Sequence, residues 1–494
     1  MTILLGKGDG IMEKTAYEIE EITISDIQQA FKNGELTSVE LVQAYLDRIE
    51  QFDKNGPKIN SVLSINPNAL KIAAELDEMR GQEGQGPLYG IPVLLKDNID
   101  TVDAMPTTAG TVALKENFAR KDAFVAAQLR NAGAIILGKV NMSEWAYFMT
   151  ENVPSGFSNL SGQVLNPYGV GVFEAGSVGG SSSGTGAAIA SNFAVVGIGT
   201  ETSGSILSPS SANSLVGIKP TVGLISRTGI IPIAESQDTA GPMARTVADA
   251  AITLGVLTGV DEEDPATLLN DTNALADYTP HLKADGLQGA RIGVDRAFLS
   301  EIGKEERDLM ERVVIELAEL GAEIIDVEIP QVDARSEVLW YEFKRGVNAY
   351  LSKVPSDVPV KSLEDVIAFN KEKPEERMKY GQVELEKAQA LSDDPKDPTY
   401  VFHRETDIRI SRREGIDAVM AEHNLDALLF ENNRGAALPA KAGYPSITVP
   451  AGYTSTGLPL GATFSAKAYS EPRLIELAYS YEQATKKRKA PVFE

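Results

Sequence analysis

Two segments concentrate the residues able to do chemistry: Gly179-Gly180-Ser181-Ser182-Ser183-Gly184 and Glu201-Thr202-Ser203-Gly204-Ser205-Ile206. A serine hydroxyl becomes a nucleophile only when a base takes its proton. Glycine turns let several backbone N–H groups converge on one point. The supply of bases is narrow. The 494 residues include no cysteine and only three histidines, His281, His403 and His423, which do not pair at helical spacing. That excludes a cysteine nucleophile, thiolate-held zinc, iron–sulfur clusters and disulfides, and it disfavours a histidine-built metal site. Serine, lysine and carboxylates remain.

Four chemistries compete for the Gly/Ser segment. A phosphate-cradling loop would end in Gly-Lys-Ser/Thr, which is missing. A flexible tether fits the composition, but strand-like runs bracket the segment. Gly180-Ser181-Ser182-Ser183-Gly184 satisfies G-x-S-x-G, with Ser182 at a nucleophile elbow. That reading wants a strong strand upstream, where 171–175 is a poor one, and a histidine downstream, where His423 sits in a plain helical stretch. The fourth is serine–lysine catalysis, in which lysine serves as base because histidine is scarce.

At these residues the sequence resembles the amidase signature family. The family's Gly-Gly-Ser-Ser and Gly-Gly-Ser-Ile patterns correspond to Gly179-Gly180-Ser181-Ser182 and Ser203-Gly204-Ser205-Ile206, and its lysine to Lys96 in Leu94-Leu95-Lys96-Asp97-Asn98. Gly138-Lys139-Val140-Asn141-Met142, Gly217-Ile218-Lys219-Pro220-Thr221 and Ser236 to Pro242 match further, so the likeness runs over about 36–257 and from 427 onward. The resemblance implies Ser205 as nucleophile, Ser181 as proton relay after a cis Gly180–Ser181 bond, and Lys96 as base. It also implies an oxyanion hole from the N–H groups of Thr202, Ser203, Gly204 and Ser205, and no cofactor or metal. Within the family, bacterial peptide amidases look most similar, which implies small amides, and peptide C-terminal amides above all, as substrates. The glutamine-hydrolysing component of a tRNA-dependent amidotransferase and a non-catalytic binding relative are the alternatives. Two residues depart from the common pattern: Ser203 stands where many members have glycine, and Leu207 where many have arginine. Asp238 matches a family aspartate expected to bond backbone near the site. Trp145, Tyr147 and Phe148 are candidates for the acyl pocket, with core packing as the competing reading.

The elements that must carry these groups read as an α/β fold. Residues 90–95 form a short apolar run ending at Lys96, which looks like a buried strand. Asp122 can cap a helix running through Arg130, Gly133 stops it, and 134–138 reads as the next strand. Strand–helix–strand order implies parallel pairing beneath covering helices. A small-residue helix is expected over 186–195, followed by a strand over 195–199. Upstream, Thr37 to Glu40 reads as a capping box with Leu41, Tyr45, Ile49 and Phe52 at helical spacing. Residues 427–430 and 446–450 read as strands, and 471–485 as a closing helix. The expected fold is one large amidase-signature domain over 1–494, a mixed central sheet covered by helices on both faces. It divides into an N-terminal helical region (1–70), a catalytic core (71–260), a charged variable insert of surface helices and loops (261–398), and a C-terminal return to the sheet (399–494).

Composition limits the partners. Forty-six Lys and Arg against 70 Asp and Glu give a formal charge of −24. A surface that acidic repels nucleic-acid phosphates and anionic lipid. The start, Met1-Thr2-Ile3-Leu4-Leu5 before Gly6-Lys7-Gly8, falls short of a signal-peptide core, and no run reaches the eighteen or so apolar residues of a membrane span. The expectation is a cytoplasmic enzyme of small amides with no nucleic-acid or membrane partner; nothing in the sequence fixes an oligomeric state.

Overall fold

The computed structural model describes residues 18–82, 84–330 and 336–493; the N-terminal stretch read above for a signal peptide lies outside them. Among the described residues the strands are β1 (Val62–Ile65), β2 (Pro92–Lys96), β3 (Ile135–Val140), β4 (Phe157–Ser158), β5 (Gly162–Gln163), β6 (Val196–Glu201), β7 (Val216–Lys219), β8 (Thr239–Ala244), β9 (Arg291–Val294), β10 (Glu323–Asp326), β11 (Ala427–Glu431), β12 (Ser446–Tyr453) and β13 (Pro459–Ser465). Eleven of them make one sheet in the order β1-β3-β2-β6-β8-β7-β12-β13-β11-β9-β10, and β4 and β5 pair as a separate hairpin. β2 runs parallel to both β3 and β6, whereas β8, β7, β12 and β13 alternate in direction. The sheet is therefore mixed, as the sequence implies.

β2 explains its own composition. A strand covered on both faces needs no polar alternation, and every residue from Pro92 to Lys96 is buried. Because β2 and β6 are parallel neighbours, Lys96 and Glu201 emerge at the same edge of the sheet. Carboxyl edges of parallel strands are where open α/β sheets hold their ligands. The helix preceding β6 spans Ser183–Ala190, three residues earlier than expected. Its small residues let it lie close to the sheet: a Cβ on Gly184 would come within 2.3 Å of the Asn141 carbonyl oxygen.

Helix caps follow the sequence in one place and depart in another. Thr37 and Glu40 cap the helix Ser38–Ile49 reciprocally, as the capping-box pattern requires. Asp122 does not cap the helix Phe124–Asn131; its carboxylate pairs with Arg130 and accepts from Val102 N–H instead. The segment 261–398, expected as helices and loops, also contributes β9 and β10, which extend the main sheet in parallel beyond β11. Its helices Val338–Leu351, Leu363–Glu372 and Val383–Ala390 enclose a second apolar core with Trp145, Phe148, Ile231 and Ile233. Among the described residues no helix is long and apolar enough to cross a membrane.

Candidate active site

Lys96 ends β2 with no solvent exposure. Its Nζ lies 2.7 Å from Ser181 Oγ and 3.0 Å from the Thr200 carbonyl oxygen. Burial pushes this amine down to about 7, opposed by the charges of Asp238 and Glu201. An ordinary lysine, with pKa about 10.4, would be neutral in roughly one molecule in a few thousand at pH 7. Desolvation raises that share to about half, because removing an ammonium from water disfavours the charged form.

Ser181 follows a cis peptide bond from Gly180. Its carbonyl accepts from Ser143 N–H (3.1 Å), which ties the loop to the segment after β3. The neighbouring hydroxyls are engaged elsewhere. Ser182 Oγ donates to the Thr200 carbonyl and accepts from Thr200 N–H, and Ser183 Oγ donates to the Gly179 carbonyl. Ser182 is fully buried, and no strand precedes it within 171–175. An elbow nucleophile needs a strand beneath it and an exposed hydroxyl; Ser182 has neither.

Ser205 sits in the turn between β6 and the helix Leu207–Ala212. The Ser205 carbonyl accepts from Ser182 N–H (3.2 Å), so the two serine loops are joined backbone to backbone. Its hydroxyl takes no hydrogen-bond partner among the described residues, and Ser205 lines a cavity of about 500 Å³. Gly204 holds φ +84°, a conformation that side chains strain to adopt, and a Cβ there would meet Asn433 Nδ2 at 2.9 Å.

The turn departs from one expectation. Gly204 N–H does not stand free for an oxyanion: it donates to Glu201 Oε1 at 2.7 Å. Glu201 Oε2 takes Ile206 N–H at 2.7 Å and Leu207 N–H at 3.0 Å. The N–H groups of Thr202, Ser203 and Ser205 have no acceptor among the described residues. Asp238 bonds backbone, as expected of it. It accepts from Ile233 and Ala234 N–H (2.8 Å each) and from the Thr202 hydroxyl (2.5 Å), and burial raises its carboxyl to about 6.

The three aromatic candidates separate. Tyr147 and Phe148 line the Ser205 cavity together with Ser203, Ile233, Leu339, Asn433 and Arg434. Trp145 does not; it is 2% exposed and packs edge-on against Phe343 in the second core. Trp145, Ala146 and Tyr147 run through the left-handed region in succession (φ +48°, +53°, +77°). Each such residue costs on the order of 1–2 kcal/mol, and strain of this kind clusters where a site needs a particular backbone path. Sequence reasoning missed the wall at 433–437, which carries no motif, and gave Glu201 no role although it stands within the quoted pattern. A second cavity, of about 520 Å³, lies across Ala146, Thr202 and Ile233 from the first and reaches Asn98, Thr200 and Asp238. No cluster of potential metal-binding side chains occurs among the described residues.

Residues 40–475 match the amidase family. The chain belongs to that family. A probable amidase of Arabidopsis thaliana is 39% identical over 99% of this chain and 95% of its own length. The native peptide amidase of Stenotrophomonas maltophilia superposes with a TM-score of 0.90 at 44% identity, covering 96% of this chain and 99% of that one. One component of the glutamyl-tRNA(Gln) amidotransferase of Halorhodospira halophila is 37% identical over 63% of this chain and 61% of its own length. This amidase is thus a hydrolase of amide C–N bonds, structurally close to peptide amidase and more distant from the amidotransferase components.

Proposed function

We propose that this amidase releases ammonia from carboxamides, with the C-terminal amide of a peptide as preferred substrate, by acyl transfer to Ser205. Neutral Lys96 takes the Ser181 proton, Ser181 takes that of Ser205, and Ser205 Oγ bonds to the amide carbon. The carbonyl oxygen gains the negative charge and is held by the N–H groups of Thr202, Ser203 and Ser205. One such donor is worth about 3 kcal/mol in a transition state. On collapse the C–N bond breaks, and the proton returns from Lys96 through Ser181 to the leaving nitrogen, giving ammonia and an ester on Ser205. Water, deprotonated by the same relay, cleaves the ester to the carboxylic acid.

The observation carrying this reading is the fully buried Lys96 amine at 2.7 Å from Ser181 Oγ. Lys139 and Lys219 are equally buried, but their amines bond backbone carbonyls and, for Lys139, a threonine hydroxyl, whereas Lys96 is set against the serine of the Gly/Ser loop. The likeness to peptide amidase supports the substrate class, and Tyr147, Phe148 and Leu339 offer an apolar wall for the acyl side.

The test is ammonia release from a peptide amide by the isolated chain. Ser205→Ala is expected to lower the rate to background while wild type turns over without partners. Wild-type activity in Ser205→Ala would overturn the assignment. Glutaminase activity that appears only with added partner chains would favour the amidotransferase role.

A further inference from the structure

The proposed chemistry uses Lys96, Ser181 and Ser205 but leaves a fully formed feature of the same loop without a task. Glu201, the last residue of β6, is 1% exposed. Its two carboxylate oxygens gather three backbone N–H groups from residues three, five and six positions further on. Two of the bonds immobilise peptide planes of the Ser205 turn: Ser203–Gly204, one residue ahead of it, through Gly204 N–H, and Ser205–Ile206, directly after it, through Ile206 N–H. The third holds the start of the helix Leu207–Ala212. A carboxylate is the one side chain that accepts on both oxygens at once and donates on neither.

Resting on the Ser205 reading, we infer that Glu201 is a positioning residue of this amidase. Its carboxylate fixes the direction of the Ser205 hydroxyl and sorts the loop amides. The Gly204 N–H is withdrawn inward, and those of Thr202, Ser203 and Ser205 are left for the oxyanion.

An electrostatic consequence separates this role from simple support. The charged groups facing the Lys96 amine are Asp238 and Glu201, and both favour its ammonium form. Lys139, on β3, is in register with Leu95 rather than Lys96 and lies among Asp97 and Asp100. Glu201 also faces Lys219, whose amine bonds the Pro220 and Tyr444 carbonyls and touches neither serine. Neutralising Glu201 therefore moves the Lys96 transition to lower pH while the loop loses its clamp.

The experiment is the pH dependence of kcat and KM for ammonia release from a peptide amide by wild type, Glu201→Gln and Glu201→Asp. Gln retains one accepting oxygen and places an NH2 group against backbone donors. Its kcat is expected to fall about 100-fold, the size of effect seen when oxyanion donors are disturbed. KM should stay within a few-fold, and the acidic limb should shift to lower pH. Asp keeps the charge and both acceptors one methylene further back; it should restore the limb to the wild-type position and recover part of kcat. An unchanged kcat in Glu201→Gln overturns the inference. So does a loss of kcat with the limb unmoved and no recovery in Glu201→Asp, which is the signature of support alone. Should Glu201→Gln fail to fold by circular dichroism, Glu201→Asp decides: lowered kcat at unchanged KM supports the role, and wild-type kcat overturns it. Ser205→Ala, measured alongside, separates the two claims. Activity there removes the Ser205 reading itself, whereas its loss beside an unaffected Glu201→Gln removes only this inference.

Discussion

At the scale of single residues, the site depends on a lysine held where lysine is costly. Burying an amine with one hydroxyl and one carbonyl for company disfavours its charge, and that cost makes Lys96 a usable base near neutrality. Replacing it by an apolar side chain of similar length separates the two effects. Lys96→Met should lower kcat/KM by about 1,000-fold, within the range of general acid–base contributions. The same variant should unfold at a temperature equal to or above wild type, because a functional site that trades stability for activity recovers stability when disarmed. Thermal denaturation alongside ammonia release checks both halves. A strongly lowered melting temperature would mean that Lys96 is chiefly a structural anchor. Lys96, Ser181 and Ser205, the residues of the proposed chemistry, stand out in the sequence because the Gly/Ser pattern and the apolar run around them match the family's motifs. Glu201 does not: a carboxylate that bonds only backbone looks, in sequence, like any other acidic residue.

At the scale of elements, the parallel pairing of β2 with β6 brings Lys96 and the Ser205 turn to one edge, and the loop leading into the helix Ser183–Ala190 sets Ser181 against Lys96 and bonds the Ser205 turn through Ser182 N–H. That helix reaches the sheet only because its residues are small. Gly184→Ala puts a methyl group within 2.3 Å of the Asn141 carbonyl oxygen and 2.6 Å of that of Ser61. Backbone cannot yield as a side-chain tip does, so overpacking of about 1–3 kcal/mol is expected. Tm and kcat should fall together, since the displaced helix starts two residues after Ser181; an unchanged Tm would show that the packing is looser than this geometry requires. Apolar runs and caps made β2, β3, the helix Ser38–Ile49 and the helix Glu471–Thr485 readable in advance. β9 and β10 were hidden because each is four residues long and lies near the sheet edge. β10 also begins and ends on exposed acids, Glu323 and Asp326, which resemble loop or helix surface. The wall at 433–437 escaped notice because it joins the site only through the fold, after β11 returns to the sheet.

At the scale of the whole molecule, one sheet carries the proposed chemistry and a second apolar core, built around Trp145, Trp340 and Phe343, shapes the space beside it. The proposed acyl side lies where the two meet, at Phe148, Ile233 and Leu339, which line the Ser205 cavity and belong to the second core. Trp145, expected as a possible pocket residue, belongs to that core instead, and the strained turn at Trp145–Tyr147 joins that core to the cavity wall. The proposed chemistry joins all three scales: a neutral buried amine would activate one cavity-lining hydroxyl through another. The most direct test is the rate of covalent labelling by a serine-directed phosphonate as a function of pH, with the adduct located by peptide mapping. The account predicts a single adduct on Ser205, formed at a rate that rises through pH about 7 as Lys96 loses its proton, with that rise absent in Lys96→Met. An adduct on Ser181 or Ser182, or a rate in wild type that does not change across that range, would contradict it.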